Sequence, residues 1–173
     1  MSTLTELKQH LRKKTTRELV DEIAYLYKTF PIVKDYYQGT FFMSDEDVAL
    51  KYKKAIKKQI FPDSGFPKLN LAQAKKELSQ FKKISANPES VVDLMAYYVE
   101  QGILCTLEYG DMYETFYISM ETVYKNALKF AKKHHLLDQI KDRFKKMVTD
   151  TRNCGWGFHD QLSDVFEQCY SDS

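Results

Sequence analysis

From Ile84 to Tyr124 the chain holds no lysine or arginine, yet it carries Glu89, Asp93, Glu100, Glu108, Asp111, Glu114 and Glu121. The same stretch contains Tyr97, Tyr98, Tyr109, Tyr113, Phe116, Tyr117 and Tyr124. A run this apolar, set in a chain otherwise studded with lysine, must lie where cations have no water to reach. Asn87-Pro88 reads as an N-cap followed by a first helical position. Val91, Val92, Leu94, Met95, Tyr98, Val99, Ile103 and Leu104 then spread over too wide an arc for a surface helix. Gly110 ends this helix, and Asp111 with Glu114 three residues on reads as the start of the next, on Phe116, Tyr117, Met120, Val123, Tyr124, Ala127, Leu128 and Ala131. Residues 88–131 are therefore expected to form a central helical pair covered by the flanking segments.

Those segments are amphipathic. Thr3/Glu6 and Thr15/Glu18 are capping-box pairs, the second opening a helix on Leu19, Val20, Ile23, Leu26, Tyr27 and Phe30 until Pro31. Ile32, Val33, Tyr36 and Tyr37 suggest one or two further turns ending near Gly39. Ser44 and Asp47 start a helix on Val48, Tyr52, Ala55, Ile56 and Ile60 that stops before Pro62. Further helical stripes follow at Leu71–Ile84, at Leu137–Val148 and from Phe158 to Cys169. No strand-like alternation appears. The expectation is an all-α chain of about seven helices packed as consecutive antiparallel hairpins, a bundle or short solenoid. At 173 residues it is read as one domain, 1–173, with a possible hinge at 62–69, where two of the four prolines and Gly65 cluster.

Composition bounds function mainly by exclusion. Cys105, Cys154 and Cys169 form no C-x-x-C pair, so neither a metal ribbon nor a disulfide framework is indicated. With a polar start and no long apolar run, a cytoplasmic protein that does not engage a membrane is expected. Phosphate-loop, dinucleotide and nucleophile-elbow motifs are absent from the sequence. The net charge of +2 conceals a split: residues 1–87 carry 17 Lys/Arg against 10 Asp/Glu, and residues 88–173 carry 9 against 14.

The most distinctive segment is Cys154-Gly155-Trp156-Gly157-Phe158-His159-Asp160, which holds the sole tryptophan. One reading joins Cys154 and His159 across a turn, with Asp160 beside them and the following helix N-terminus lowering the thiol pKa to give a catalytic nucleophile. The other makes the segment a turn whose Trp156 and Phe158 plug the core. Tyr109, Asp111, Tyr113, Trp156 and His159 form a candidate ligand or partner surface, and Glu108, Asp111 and Glu114 near Tyr109 and Tyr113 would make an acidic aromatic cup for a cationic ligand. Lys53, Lys54, Lys57, Lys58, Lys75 and Lys76 would serve a nucleic-acid alternative if they shared one face. Asp160/Asp164 and His134/His135 lack the spacing of helical metal sites, and neither metal nor cofactor is expected.

Glu18-Leu-Val-Asp-Glu-Ile-Ala-Tyr-Leu-Tyr27 running into Val33-Lys-Asp-Tyr-Tyr37, together with Gly155-Trp-Gly-Phe-His-Asp160, resembles a family of small bacterial helical proteins known only as a domain of unknown function. The resemblance implies a single-domain, cytosolic, bacterial protein and carries no activity, cofactor or partner with it. The function expected is a non-enzymatic helical interaction or adaptor module with a protein partner. Nucleic-acid association and a thiol-dependent enzyme are the alternatives.

Overall fold

The computed structural model of the chain describes residues 3–171. Among them there are nine α-helices and no strand: α1 Leu4–Leu11, α2 Thr16–Thr29, α3 Pro31–Tyr37, α4 Asp45–Ile60, α5 Leu71–Ile84, α6 Pro88–Tyr109, α7 Glu114–Lys133, α8 Leu137–Asp150 and α9 Phe158–Ser171. The count exceeds the expected seven partly because Pro31 restarts the chain. It forces Phe30 into an extended conformation (φ −114°, ψ 110°) and occupies the first position of a helix of its own. Nor does the chain stop near Gly39, since a π-helical turn, Gln38–Phe42, carries it on to Met43. The chain forms two compact units, Met1–Met43 and Ser44–Ser173. Residues 62–69 lie inside the second unit, where the N–H groups of Lys68 and Asn70 bond back to the carbonyls of Ile60 and Gln59 at the end of α4.

In the first unit the caps form as the sequence implies. Thr3 and Thr15 each accept from the N–H of the glutamate three residues on, and Glu6 and Glu18 reach back to the cap N–H groups at 2.6 and 2.7 Å. Both glutamates are held below the usual carboxylate range by those backbone hydrogen bonds. Yet α1, α2 and α3 bury none of their residues.

The second unit contains the core. Along α6, twelve residues are buried, among them Val91, Leu94, Tyr98, Gly102 and Cys105, so helices cover it on several sides. Tyr98, Phe116 and Leu128 are at most 1% exposed, which bears out the central placement of residues 88–131. Buried hydroxyls are paired: Tyr98 with Ser119 at 2.8 Å, Thr106 with Tyr117 at 2.7 Å, and Tyr124 donating to the Phe144 carbonyl at 3.2 Å. Burial pushes Tyr98 up to about 12.

Neighbouring helices are locked in register by specific pairs. Near their starts, Ser90 of α6 donates to Asp45 of α4, and further along Lys53, midway in α4, pairs with Asp93 in the second turn of α6 at 2.6 Å. Phe61, just past α4, meets Tyr109 at the end of α6 edge-to-face at 5.8 Å, so the two helices run the same way. Arg143 of α8 forks onto both oxygens of Glu100 (2.6 and 2.7 Å) and also donates to Asp93 (2.7 Å). One half-buried ionic chain thus crosses three helices. Burial by itself pushes Asp93 up, but the hydrogen bonds and charges of Lys53 and Arg143 outweigh it and hold the carboxyl below its ordinary value. No helix among the described residues is long and apolar enough to cross a membrane.

Candidate functional site

Asp111 and the tryptophan segment meet at one end of the second unit. Gly110, in the left-handed region at φ 86°, closes α6. Asp111 does not cap α7, as its spacing to Glu114 suggested. Tyr113 stands at the N-cap without a side-chain hydrogen bond, and the Asp111 carboxylate turns away to accept from the Gly155 N–H at 2.7 Å and from the Tyr117 hydroxyl at 2.8 Å. Tyr117 in turn accepts from the Met112 N–H at 3.2 Å and contacts the Thr106 hydroxyl. The Gly155 bond, and after it the Tyr117 bond, hold the Asp111 carboxyl below its usual range. A buried tyrosine therefore aims a carboxylate that pins a loop 44 positions further along the chain.

Gly155 is required by this approach, because a Cβ there would lie 2.5 Å from Asp111 Oδ2 and 3.0 Å from its Cγ. Beyond the clamp, the Phe158 N–H bonds to the Gly155 carbonyl while Trp156 (φ 59°) and Gly157 (φ 67°) both take positive φ. That is the pattern of a type I′ turn, where glycine or asparagine is usual and tryptophan is not. Phe158 is fully buried and packs on Tyr117 with ring centroids 4.9 Å apart. Trp156 does not plug the core: it is 61% exposed. The turn sends alternate neighbours in opposite directions, Phe158 inward and Trp156 out. Tyr109 and Tyr113 are also exposed, as are Glu108 and Glu114. Beside Tyr109 a cleft of about 310 Å³ opens between Phe61, Asp63, Gly65 and Glu108, with Lys57 of its wall neutralised by Asp63.

Cys154 and His159 are engaged elsewhere. His159 Nδ1 donates to the Val148 carbonyl at 2.8 Å, tying the start of α9 to the end of α8. Burial, followed by the Asp111 carboxylate, pushes the Cys154 thiol up, with a Thr106 hydrogen bond opposing. This is the reverse of the depressed thiol expected from the helix N-terminus, because burial first, and the nearby Asp111 charge second, disfavour the thiolate. Asp160 is exposed in the first turn of α9, where a carboxylate suits the helix dipole.

Of the lysines considered for a polyanion, Lys53 is committed to Asp93 and stands 5.6 Å from the centre of the Tyr97 ring. Lys57 is committed to Asp63, and Lys75 is held below its ordinary range by burial. Lys54, Lys58 and Lys76 are exposed. Sequence reasoning missed Tyr117 and Thr106, which aim Asp111, and the Asp93–Arg143–Glu100 chain. Its visible trace was the seven-residue spacing of Asp93 and Glu100 on a helix without cations.

A family model described as a family of unknown function (DUF6155) matches residues 1–170. The chain belongs to this family. Neither the curated proteins nor the solved structures include a match. The Gly-Trp-Gly-Phe-His-Asp segment of this DUF6155 chain lies within the matched span, and its structural role is the clamped turn just described.

Proposed function

We propose that the chain is a helical interaction module, and that the face around Trp156, Tyr109 and Tyr113 receives a basic, partly apolar segment of a protein partner. One observation carries this reading: Trp156 is held 61% exposed at positive φ by the Asp111–Gly155 clamp. A non-glycine residue in that conformation costs about 1–3 kcal/mol, and an exposed indole forgoes most of its burial energy. Strain and exposure kept together by a dedicated carboxylate support a recognition role. The partner's chemistry follows from the carboxylates Glu108, Asp111 and Glu114, which lie in a sequence stretch without Lys or Arg, while Lys57 beside Tyr109 is already paired with Asp63. Trp, Tyr and carboxylate together suit Lys or Arg side chains. In this reading α4–α5, α6–α7 and α8–α9 act as three hairpins stacked side by side, a rigid scaffold for the loops at their ends.

Trp156 is the sole tryptophan, so its own emission reports occupancy. Titration with a synthetic Lys/Arg-rich peptide bearing apolar residues at helical spacing is expected to shift the emission to the blue, saturably and less at high salt. Glu114→Gln should weaken the effect. An emission unmoved by the basic peptide, or moved equally by a poly-glutamate control, refutes the proposal. A response to duplex DNA alone would transfer support to the lysine-rich alternative.

A further inference from the structure

α5 and α7 both pack on α6, and they leave between them a groove of about 390 Å³. Its floor is apolar, built from buried Leu78 of α5, Met95 of α6 and Val123 of α7. One wall is a row of cations on α5, Lys75, Lys82 and Lys83, and the other carries the exposed, neutral Thr122 and Asn126. Among the described residues no carboxylate lines the groove, and Glu121, next to Thr122 in the chain, belongs to neither wall. Lys82 leans across towards α7, its ammonium 5.4 Å from the centre of the Phe130 ring. The far flank of α7 repeats the pattern: a cavity of about 210 Å³ towards α9 sets Lys125 and Lys129 beside Leu128 and Val165, again with no carboxylate among the described residues that line it.

From this we infer that the groove between α5 and α7 receives an acidic amphipathic segment of a protein partner, its apolar side on Leu78, Met95 and Val123 and its carboxylates on the lysine wall. Charge selects an anion. Half-buried Lys75 has lost part of its hydration, and an arriving carboxylate supplies the counter-charge that the lining lacks. The floor then separates a peptide from a phosphate backbone, which contacts lysine tips and has no use for apolar surface. The methylene stems of the lysines carry that apolar surface up the wall. Length agrees, since Lys75 to Lys83 spans about 12 Å at the helical rise, matching about two turns of a helix laid along the groove. The sign of charge is opposite to that of the Trp156 face, so the two surfaces select different segments.

Fluorescence anisotropy of a labelled synthetic peptide, with leucine at helical spacing and glutamate elsewhere, tests the inference on the full chain. Saturable binding is expected, weaker at high salt. Lys82→Glu and Asn126→Glu, at exposed positions on opposite walls, should each raise the dissociation constant about tenfold without changing the helical signal in circular dichroism. Lys54→Glu makes on α4 the same charge change as Lys82→Glu and should leave the affinity unchanged, as should Trp156→Phe. Serine in place of the peptide's leucines should weaken binding, which attraction between charges alone would not do. Absence of saturable binding overturns the inference. So do equal losses in Lys54→Glu and Lys82→Glu, indifference to the leucines, or tighter binding of an oligonucleotide of the same charge.

Discussion

The Asp111 carboxylate accepts the backbone N–H of Gly155 at 2.7 Å, and this single bond ties the turn between the two central helices to the turn that carries Trp156. Gly155→Ala would drive a methyl group into that carboxylate, 2.5 Å from Oδ2. The expected result is a released loop: lower fluorescence anisotropy of Trp156 and faster amide exchange from residues 154–158, with the helical content unchanged. Asp111→Asn should act in the same direction but more weakly, because an amide oxygen still accepts. Unaltered anisotropy in both variants would show that the loop is held by something other than the clamp.

Arg143 and Lys53 make unequal contributions to the ionic chain. Arg143→Ala strands Glu100 and leaves Asp93 with Lys53 alone, both carboxylates being about two-thirds covered. Removing one partner of a fully buried pair costs ~3–5 kcal/mol, and solvent screening at this exposure reduces that to about 2 kcal/mol. Lys53→Met leaves Asp93 its Arg143 bond and should cost less than about 1 kcal/mol. Urea unfolding of the two variants decides the ranking, and equal losses would contradict it.

Gly102 has no room for a side chain. A Cβ there would fall 2.3 Å from Met120 Sδ and 2.9 Å from its Cε. Gly102→Ala is expected to destabilise by about 1–3 kcal/mol, the usual range for overpacking. Adding Met120→Val should recover part of the loss, because the β-branched residue vacates the far end of the thioether. A double variant no more stable than Gly102→Ala alone would rule out this contact as the cause.

Stability should fall at both ends of the pH range. Asp93 and Asp111 have folded-state pKa values below their ordinary ones. Each therefore contributes stability above the unfolded value of about 3.9, which is lost as pH falls through the folded value. Tyr98 and Tyr170 are pushed up to about 12, chiefly by burial. They contribute stability below the unfolded value of about 10, lost as pH rises toward 12. Asp93→Asn should flatten the acid limb in chemical denaturation at a series of pH values, and Tyr98→Phe the alkaline one.

Cys154 should alkylate at neutral pH more slowly than a free cysteine, because burial and Asp111 both disfavour its thiolate. Cys105, buried and pushed up to about 11, should react more slowly still. Iodoacetamide labelling followed by peptide mass spectrometry gives the order, and rapid selective labelling of Cys154 would restore the case for a nucleophile.

Much of the helical layout was legible because it depends on local chemistry. The Thr3, Thr15, Ser44 and Asn87 caps and the Pro62 and Gly110 stops act within a few residues, and a wide apolar arc has no place but the centre of a bundle. Asp111 was misassigned for the same reason: its spacing to Glu114 is a local cue, while Tyr117 and Gly155 compete for the same carboxylate through contacts that only tertiary structure creates. Hydrophobicity suits Trp156 equally to the core or to a partner surface, and what turns it outward is a pair of positive φ angles that composition does not announce. The first unit shows the opposite limit, since its periodicity forecasts the helices and says nothing about what they pack on.

The sharing of Asp93 between Lys53 and Arg143 has a consequence for how this family can diverge. Replacing a carboxylate that serves cations on two separate helices takes from Lys53 its carboxylate and leaves Arg143 only its Glu100 fork, so single changes at any of the three positions are penalised while concerted ones are less so. Positions 53, 93 and 143 should drift as a linked trio among relatives, leaving a statistical record of contact in which the outer two covary through the middle one.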